Sequence, residues 1–198
     1  MSRQIEEIWQ HLIAGKLYNK GMDNNKVANR SAEGPLSPSF VASKTTPELE
    51  EGPYYKSGSP KKTRLYQKGI PGEPLTLTGY VSDHTGKTIA HAWMDFWQAN
   101  GNGEYDNSGY TLRGHQNTDE TGKYILQTVL PGGYSVRTPH IHVKVRANDD
   151  APVLTTQLFI PGLASNKTDF LYRDDLQKQS RPAHSLMLKA GLKSGRFW

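Results

Sequence analysis

Arg137-Thr138-Pro139-His140-Ile141-His142-Val143-Lys144-Val145 is the stretch on which the reading of this chain turns. Successive side chains of a β-strand point to opposite faces, and every second one returns to the same face roughly 7 Å further on. His140 and His142 therefore share one face, while Ile141, Val143 and Val145 share the other and are expected to pack into a core. Such a strand can present both imidazoles to one metal ion, because the backbone fixes their separation. Taken alone, a His-x-His pair is more often the polar side of a half-buried strand. The tyrosines around it point toward chemistry.

The chain has no cysteine, so disulfides, iron–sulfur clusters and thiolate metal sites are excluded. A centre built on His140 and His142 then needs anionic oxygen ligands to hold a hard trivalent ion. Tyr134 follows the breaker Pro131-Gly132-Gly133, so a tight reversal can bring it beside the histidine strand. Tyr105 ends Trp97-Gln98-Ala99-Asn100-Gly101-Asn102-Gly103-Glu104-Tyr105, a strand running into a glycine-rich loop. Tyr110 and Tyr124 are rivals for the same role, although Tyr124 alternates with Leu126 as a core residue would. A free phenol has a pKa of about 10, but a highly charged cation strongly favours phenolate.

Outward from this centre, apolar alternation between turn signals predicts strands over 75–82, 90–98, 122–129, 139–147 and 153–160. Asp83-His84-Thr85-Gly86 and Asp119-Glu120-Thr121-Gly122 are turn chemistry. Strands so spaced, with no comparable helical stretch among them, predict a mainly β protein folded as an antiparallel sandwich with long loops. Upstream, Ile5, Ile8, Trp9, Leu12 and Ile13 recur at helical spacing and predict one short helix over 3–18. Its apolar stripe must dock on the main domain or on a second subunit of a homo-oligomer. Residues 19–45 read as an extended arm, giving a division into 1–45 and a sandwich domain over 46–198. Thr46 to Tyr55 is a rigid, aromatic-tipped loop; 161–184 reads as a surface loop with one short helix, and Ser185–Lys189 as a final strand.

Several of these strings together resemble the intradiol ring-cleavage dioxygenases, the family of catechol and protocatechuate dioxygenases. They are Glu51-Gly52-Pro53-Tyr54-Tyr55, Trp97-Gln98-Ala99-Asn100, Gly103-Glu104-Tyr105, Pro131-Gly132-Gly133-Tyr134 and Arg137-Thr138-Pro139-His140-Ile141-His142. The match runs over roughly 46–160 in the family's order, and the combination is far more specific than any one piece. With a short link between Tyr134 and His140 and no large helical N-terminal domain, the pattern is closest to a compact, single-domain branch.

The resemblance implies a non-haem Fe³⁺ held by Tyr105, Tyr134, His140 and His142 on a β-sandwich. It also implies cleavage of a catechol by O₂ between its hydroxyl-bearing carbons, giving a cis,cis-muconate-type diacid. Tyr105 lies at the family's distance from Trp97, which ranks it ahead of Tyr110. Tyr134 matches the tyrosine that leaves the metal and acts as base. Arg137 matches the arginine lying against the bound substrate, Gln157 a glutamine beside the iron, and Pro53 and Tyr54 the loop lining the substrate pocket.

A second resemblance, through Gly79-Tyr80-Val81-Ser82-Asp83 and the Asp119 to Tyr134 segment, is to transthyretin-like (prealbumin-like) sandwich modules, which bind without catalysing. A His-based Zn²⁺ or Cu²⁺ enzyme is a third reading, but it supplies no third histidine or carboxylate at a convincing spacing.

The remaining features bound the partners. The 24 basic and 19 acidic residues leave a net charge of +5, scattered apart from Lys61-Lys62-Thr63-Arg64, which argues against a nucleic-acid groove. No apolar run approaches the roughly 20 residues of a membrane-spanning helix. Glu6 and Glu7 make the first residues unlike a secretory signal, so a cytoplasmic location is expected.

Overall fold

The structure is a computed structural model and describes residues 45–172, together with the backbone of 186–187 and 195–197. The helix expected over 3–18 and most of the arm after it lie outside the described residues. The elements are β1 (Pro74–Asp83), β2 (Trp93–Gln98), β3 (Arg113–Asn117), β4 (Lys123–Val129), β5 (His140–Arg146), β6 (Leu154–Phe159), a 3-10 turn (Ala164–Lys167), β7 (Leu186–Met187) and β8 (Gly195–Phe197). They form two four-stranded sheets, ordered β4-β1-β7-β8 and β3-β2-β5-β6. Pairing is antiparallel throughout except where β7 joins β1 and β8. The mainly β, antiparallel architecture expected from the alternation is the one observed. Among the described residues no helix is long and apolar enough to cross a membrane.

The second sheet has two unlike faces. Met94 and Phe96 of β2 stand beside Val145 and Val143 of β5, and β6 adds Leu154 to the same side. This inner face meets the first sheet, where the Phe96 and Tyr124 rings lie 5.8 Å apart. Gln98 also crosses between the sheets: its amide donates to Val129 O at 2.8 Å and accepts from Thr128 Oγ1 at 2.7 Å. A buried amide so satisfied costs little and ties the layers together. On the opposite face, cross-strand register lays Arg113, Trp97, His142 and Gln157 in one row over β3, β2, β5 and β6. His115, Asp95 and Lys144 make the next row.

That outer face is roofed by the segment 45–66, which has no regular secondary structure of its own. It starts on β6, where Leu49 N donates to Thr155 O at 2.9 Å. It crosses to β3, exchanging His115 N→Pro60 O (3.0 Å) and Lys62 N→His115 O (2.9 Å), then reaches β4 through Leu65 N→Gln127 O at 2.7 Å. Three sheet edges thereby find partners for their backbone groups, which answers the pairing hazard of an open edge. Along the way Tyr55 Oη and Ser59 Oγ donate to the two oxygens of buried Asp95, at 3.2 and 2.7 Å, pinning the strap to the sheet. The aromatic-tipped loop expected at 46–55 is therefore a strap over a sheet face.

Two details depart from the sequence reading. The strand expected from residue 90 begins at Trp93, because His91 takes a left-handed φ of 58° and turns the chain. Strand β3, Arg-Gly-His-Gln-Asn, was not expected at all: it holds no β-branched residue, and its pairing comes from backbone exchange with β2 and the strap. The two Asp-x-Thr-Gly turns are built alike. Asp83 Oδ1 accepts from Thr85 N, Thr85 Oγ1 and Lys87 N at 2.8, 2.5 and 3.1 Å. Asp119 Oδ1 does the same with Thr121 and Lys123 at 2.8, 2.7 and 3.0 Å. Partial burial acts to raise both carboxyl pKa values, but these hydrogen bonds outweigh it and the net shift is downward.

Candidate metal centre

Four aromatic side chains from three segments meet on the outer face under the strap. His140 and His142 come from β5 with rings 4.7 Å apart, and their Nε2 atoms face each other at 3.1 Å. His140 Nδ1 lies 2.6 Å from Thr138 O. A carbonyl oxygen can only accept, so the neutral ring carries its proton on Nδ1 and leaves a lone pair on Nε2. His142 is oriented differently, by stacking on Trp97 at 4.8 Å and 10°. Tyr55 braces Trp97 from its other contact at 4.8 Å, and Gly52, with φ at +73°, comes close to the His142 ring edge.

The two tyrosines arrive on loops whose backbones touch. Asn100 Oδ1 accepts from Asn102 N and Glu104 N at 2.9 and 3.1 Å, curling the loop that carries Tyr105. Gly132 N donates to Asn100 O at 2.8 Å. A Cβ on Gly132 would stand 2.4 Å from Gly101 O and 2.6 Å from Gly103 N, so only glycine permits this junction. It sets the Tyr105 and Tyr134 rings edge to face at 5.5 Å. The chain then reverses at once: Arg137 N donates to Tyr134 O at 2.8 Å, with Ser135 at a strained φ of 51°. Tyr134 Oη ends 3.4 Å from His140 Nε2. Tyr105 Oη is buried without a hydrogen-bond partner, as is His142 Nδ1.

Burial governs the titration of these groups. Desolvation, then the nearby Arg137 charge, lowers His140 to about 4, with the Thr138 carbonyl acting the other way. Desolvation, then His140 itself, pushes His142 well below the ordinary histidine value. Burial and then Tyr134 push the Tyr105 phenol far above its usual range, against the pull of Arg137 and Arg113. Both imidazoles are thus neutral, the form that ligates metals. A cation among them would reverse the penalty on the phenols by favouring phenolate. The partnerless Tyr105 oxygen and the facing Nε2 atoms fit such a cation. Among the described residues no group of three or more His, Asp or Glu side chains is arranged to hold a metal.

The surrounding residues fall into place as follows. Tyr54 stacks on Tyr105 at 4.3 Å and 13° and meets Tyr134 edge-on at 5.9 Å, while Pro53 lies exposed at the turn before it. Arg137 Nη2 donates to Gln157 Oε1, and Gln157 Nε2 donates to Glu50 O at 3.0 Å. The two rival tyrosines point elsewhere: Tyr110 Oη donates to Ser57 O at 2.8 Å, and Tyr124 is buried against Phe96 on the inner face. Arg113 was missed by sequence reasoning. Its buried guanidinium donates to Tyr54 O and Asp106 O, at 2.5 Å and 3.0–3.1 Å, so it binds the strap to the Tyr105 loop. Asp169 and Asn166 were missed too. Asp169 pairs with Arg137 Nε at 3.0 Å, and Asn166 accepts from Thr138 Oγ1 at 2.7 Å. No local pattern links either to a partner about thirty positions away.

A two-layered β fold with paired imidazoles and phenols on one roofed sheet face defines a class, and the similarities to known proteins name it. A family model described as "Dioxygenase" matches residues 50–190. The chain belongs to the intradiol ring-cleavage dioxygenase family. It is 35% identical over 166 residues to catechol 1,2-dioxygenase 2 of Acinetobacter lwoffii, covering 70% of this chain and 60% of that protein. It is 30% identical to the protocatechuate 3,4-dioxygenase alpha chain of Pseudomonas putida, covering 58% of this chain and 68% of that one. Among solved structures it resembles the dioxygenase domain of a dioxygenase–carbohydrate-binding protein fusion from Streptomyces sp. SirexAA-E. That likeness has 46% identity and a TM-score of 0.64, over 67% of this chain and 86% of that one. The chain spans between half and three-fifths of the length of the catechol dioxygenases it matches first.

Proposed function

We propose that this protein cleaves catechols between their two hydroxyl-bearing carbons with O₂, giving cis,cis-muconate-type diacids, with Tyr105, Tyr134, His140 and His142 holding a non-haem Fe³⁺. The observation that carries the reading is the meeting of two imidazole Nε2 atoms at 3.1 Å with Tyr134 Oη 3.4 Å from one of them, beside a partnerless Tyr105 Oη. Two neutral nitrogens and two phenolate oxygens make a hard donor set that favours trivalent over divalent iron. When bound, Fe³⁺ supplies the Lewis acidity that makes the catechol hydroxyls acidic and the ring reactive toward O₂.

The protein's own residues do the rest. Tyr134 sits on a turn, not in a strand, and its Oη takes the proton of one catechol hydroxyl. Tyr105 stays in place, stacked against Tyr54 with Arg113 5.8 Å from its ring centre. Arg137, held at Nη2 by Gln157, presents its charge to oxygen as negative charge develops, often the largest catalytic term. Tyr54 and Pro53 line the approach of the substrate ring. Residues 46–198 form the catalytic domain and 1–45 its N-terminal extension. A transthyretin-like binding module has no need of this convergence, which is why catalysis is the better reading.

The test is an oxygen-uptake panel over catechol, hydroxyquinol and protocatechuate, with product masses and ultraviolet spectra. Phenolate-to-iron charge transfer should colour the protein red-brown, and Tyr134→Phe or Tyr105→Phe should shift or weaken that band. Colourless, iron-free protein from cells grown in iron-rich medium would sink the proposal.

A further inference from the structure

The functional reading gives Arg137 and Gln157 a part at the substrate but leaves out the group that holds Arg137 most firmly. Asp169 lies 32 positions further along, beyond β6, with its side chain fully buried. Its two oxygens accept from Arg137 Nε at 3.1 and 3.0 Å. They also accept from Thr138 N at 2.8 Å and Leu171 N at 2.9 Å. A carboxylate with that many donors is well compensated for burial, and charge-assisted bonds of this kind hold geometry tightly. At the other end of the guanidinium Nη2 donates to Gln157 Oε1, and Gln157 is itself anchored on the strap at Glu50 O. Two of the three guanidinium nitrogens are thus clamped in one plane, and among the described residues no group takes a hydrogen bond from Nη1.

The same carboxylate reaches further. The Thr138 peptide whose N–H it accepts follows Arg137, and Thr138 O holds His140 Nδ1 at 2.6 Å. One buried oxygen pair therefore ties down both the guanidinium and the N–H side of Thr138, the residue whose carbonyl, one peptide further on, orients an imidazole. The residue after Asp169, Phe170, is 70% exposed, with its ring centre 5.7 Å from the Arg137 guanidinium carbon.

We propose that Asp169 is a positioning residue for the reaction: it holds the Arg137 guanidinium in the one orientation that leaves Nη1 free to face the substrate's oxygens. The proposal rests on the reading of Arg137 as the group that meets a catechol. A carboxylate that merely neutralised a buried arginine would affect stability alone. One that sets geometry affects the chemical step, because misplacement of a catalytic group by about 1 Å costs on the order of a hundredfold.

The experiment pairs Asp169→Asn with Arg137→Gln and their double variant, and adds Asp169→Glu, which keeps the charge on a longer arm. In ¹⁵N-labelled metal-free protein the Arg137 Nε–H resonance should exchange slowly and should be lost or broadened in Asp169→Asn. With catechol, Asp169→Asn should lower kcat at least 30-fold with KM changed less than threefold. Asp169→Glu should fall between it and wild type, and the double variant should be no slower than Arg137→Gln alone. A kcat within threefold of wild type in Asp169→Asn, or losses that multiply in the double variant, would overturn the proposal while leaving the dioxygenase reading intact. So would variants at 169 that both fail to fold, since the carboxylate is then structural. Wild-type protein that cleaves no catechol, or Arg137→Gln at full activity, would overturn the functional reading and this proposal with it.

Discussion

At the histidine end of β5 its two sides are buried to the same degree and for opposite reasons. Ile141, Val143 and Val145 are 0% exposed, and His140 and His142 are 2% and 1% exposed. On the inner side burial is itself favourable, since each apolar side chain leaves water for close packing. On the outer side burial works against every charge and must be compensated group by group. His140 is answered by a carbonyl, Arg137 by a carboxylate and an amide, and Asp95 by two hydroxyls. Tyr105 Oη, His142 Nδ1, Trp97 Nε1 and Arg146 Nε are left over. Inner-side orphans exist as well, at Tyr124 Oη and Gln116 Nε2, but three of the four outside belong to neighbouring rings, with Trp97 4.8 Å and Tyr105 6.5 Å from His142. One face holds the protein together; the other is held in place by it.

That contrast can be broken deliberately. His142→Phe should give the largest effect: activity lost by on the order of a thousandfold or more, with metal-free protein at least as stable as wild type, because a buried polar ring is replaced by an apolar one of similar size. Oxygen uptake and thermal melts together decide it. Ile141→Ala, one position away on the other face, should do the reverse. It should cost about 2–5 kcal/mol of stability, measured by urea denaturation, while molecules that remain folded retain their turnover.

A pH series sharpens the point. His140 is lowered to about 4 and His142 well below its ordinary value, whereas unfolded histidine titrates near 6.5. Between those values the unfolded chain binds protons that the folded metal-free protein refuses. Stability should be full above about pH 6.5 and fall as pH drops toward about 4, by up to about 1.4 kcal/mol per pH unit for each histidine. Urea midpoints at pH 7 and pH 5 should differ accordingly, and His142→Phe should narrow the difference. Gly132→Ala, where the new Cβ would press on the backbone of Gly101 and Gly103, should destabilise by at least about 1–3 kcal/mol. It should also weaken any phenolate-to-iron colour, as the two tyrosine loops part.

What could be read from the chain in advance follows the same division. The alternation along His140 to Val145 declares both faces of β5, and Pro131-Gly132-Gly133 declares the reversal that delivers Tyr134, because each is a local backbone property. Gly132 and Gly103 announce a turn but not the backbone contact between their loops, which exists only once β2 and β5 have paired. Strand β3 escaped because Arg-Gly-His-Gln-Asn carries no apolar period; its partners supply the pairing. Asp169 escaped because a carboxylate in a polar loop looks like any solvated acid until the tertiary fold buries it against Arg137.

The strap over the outer face has a consequence for how the protein can fail. The segment that sets Tyr54 on Tyr105 and Gly52 near His142 also seals the margins of β6, β3 and β4. Peeling it back would not simply open the candidate site to solvent. It would leave three ribbons ready to recruit other chains, so loss of catalysis and a tendency to aggregate should arise together from a single proteolytic nick near Gly58.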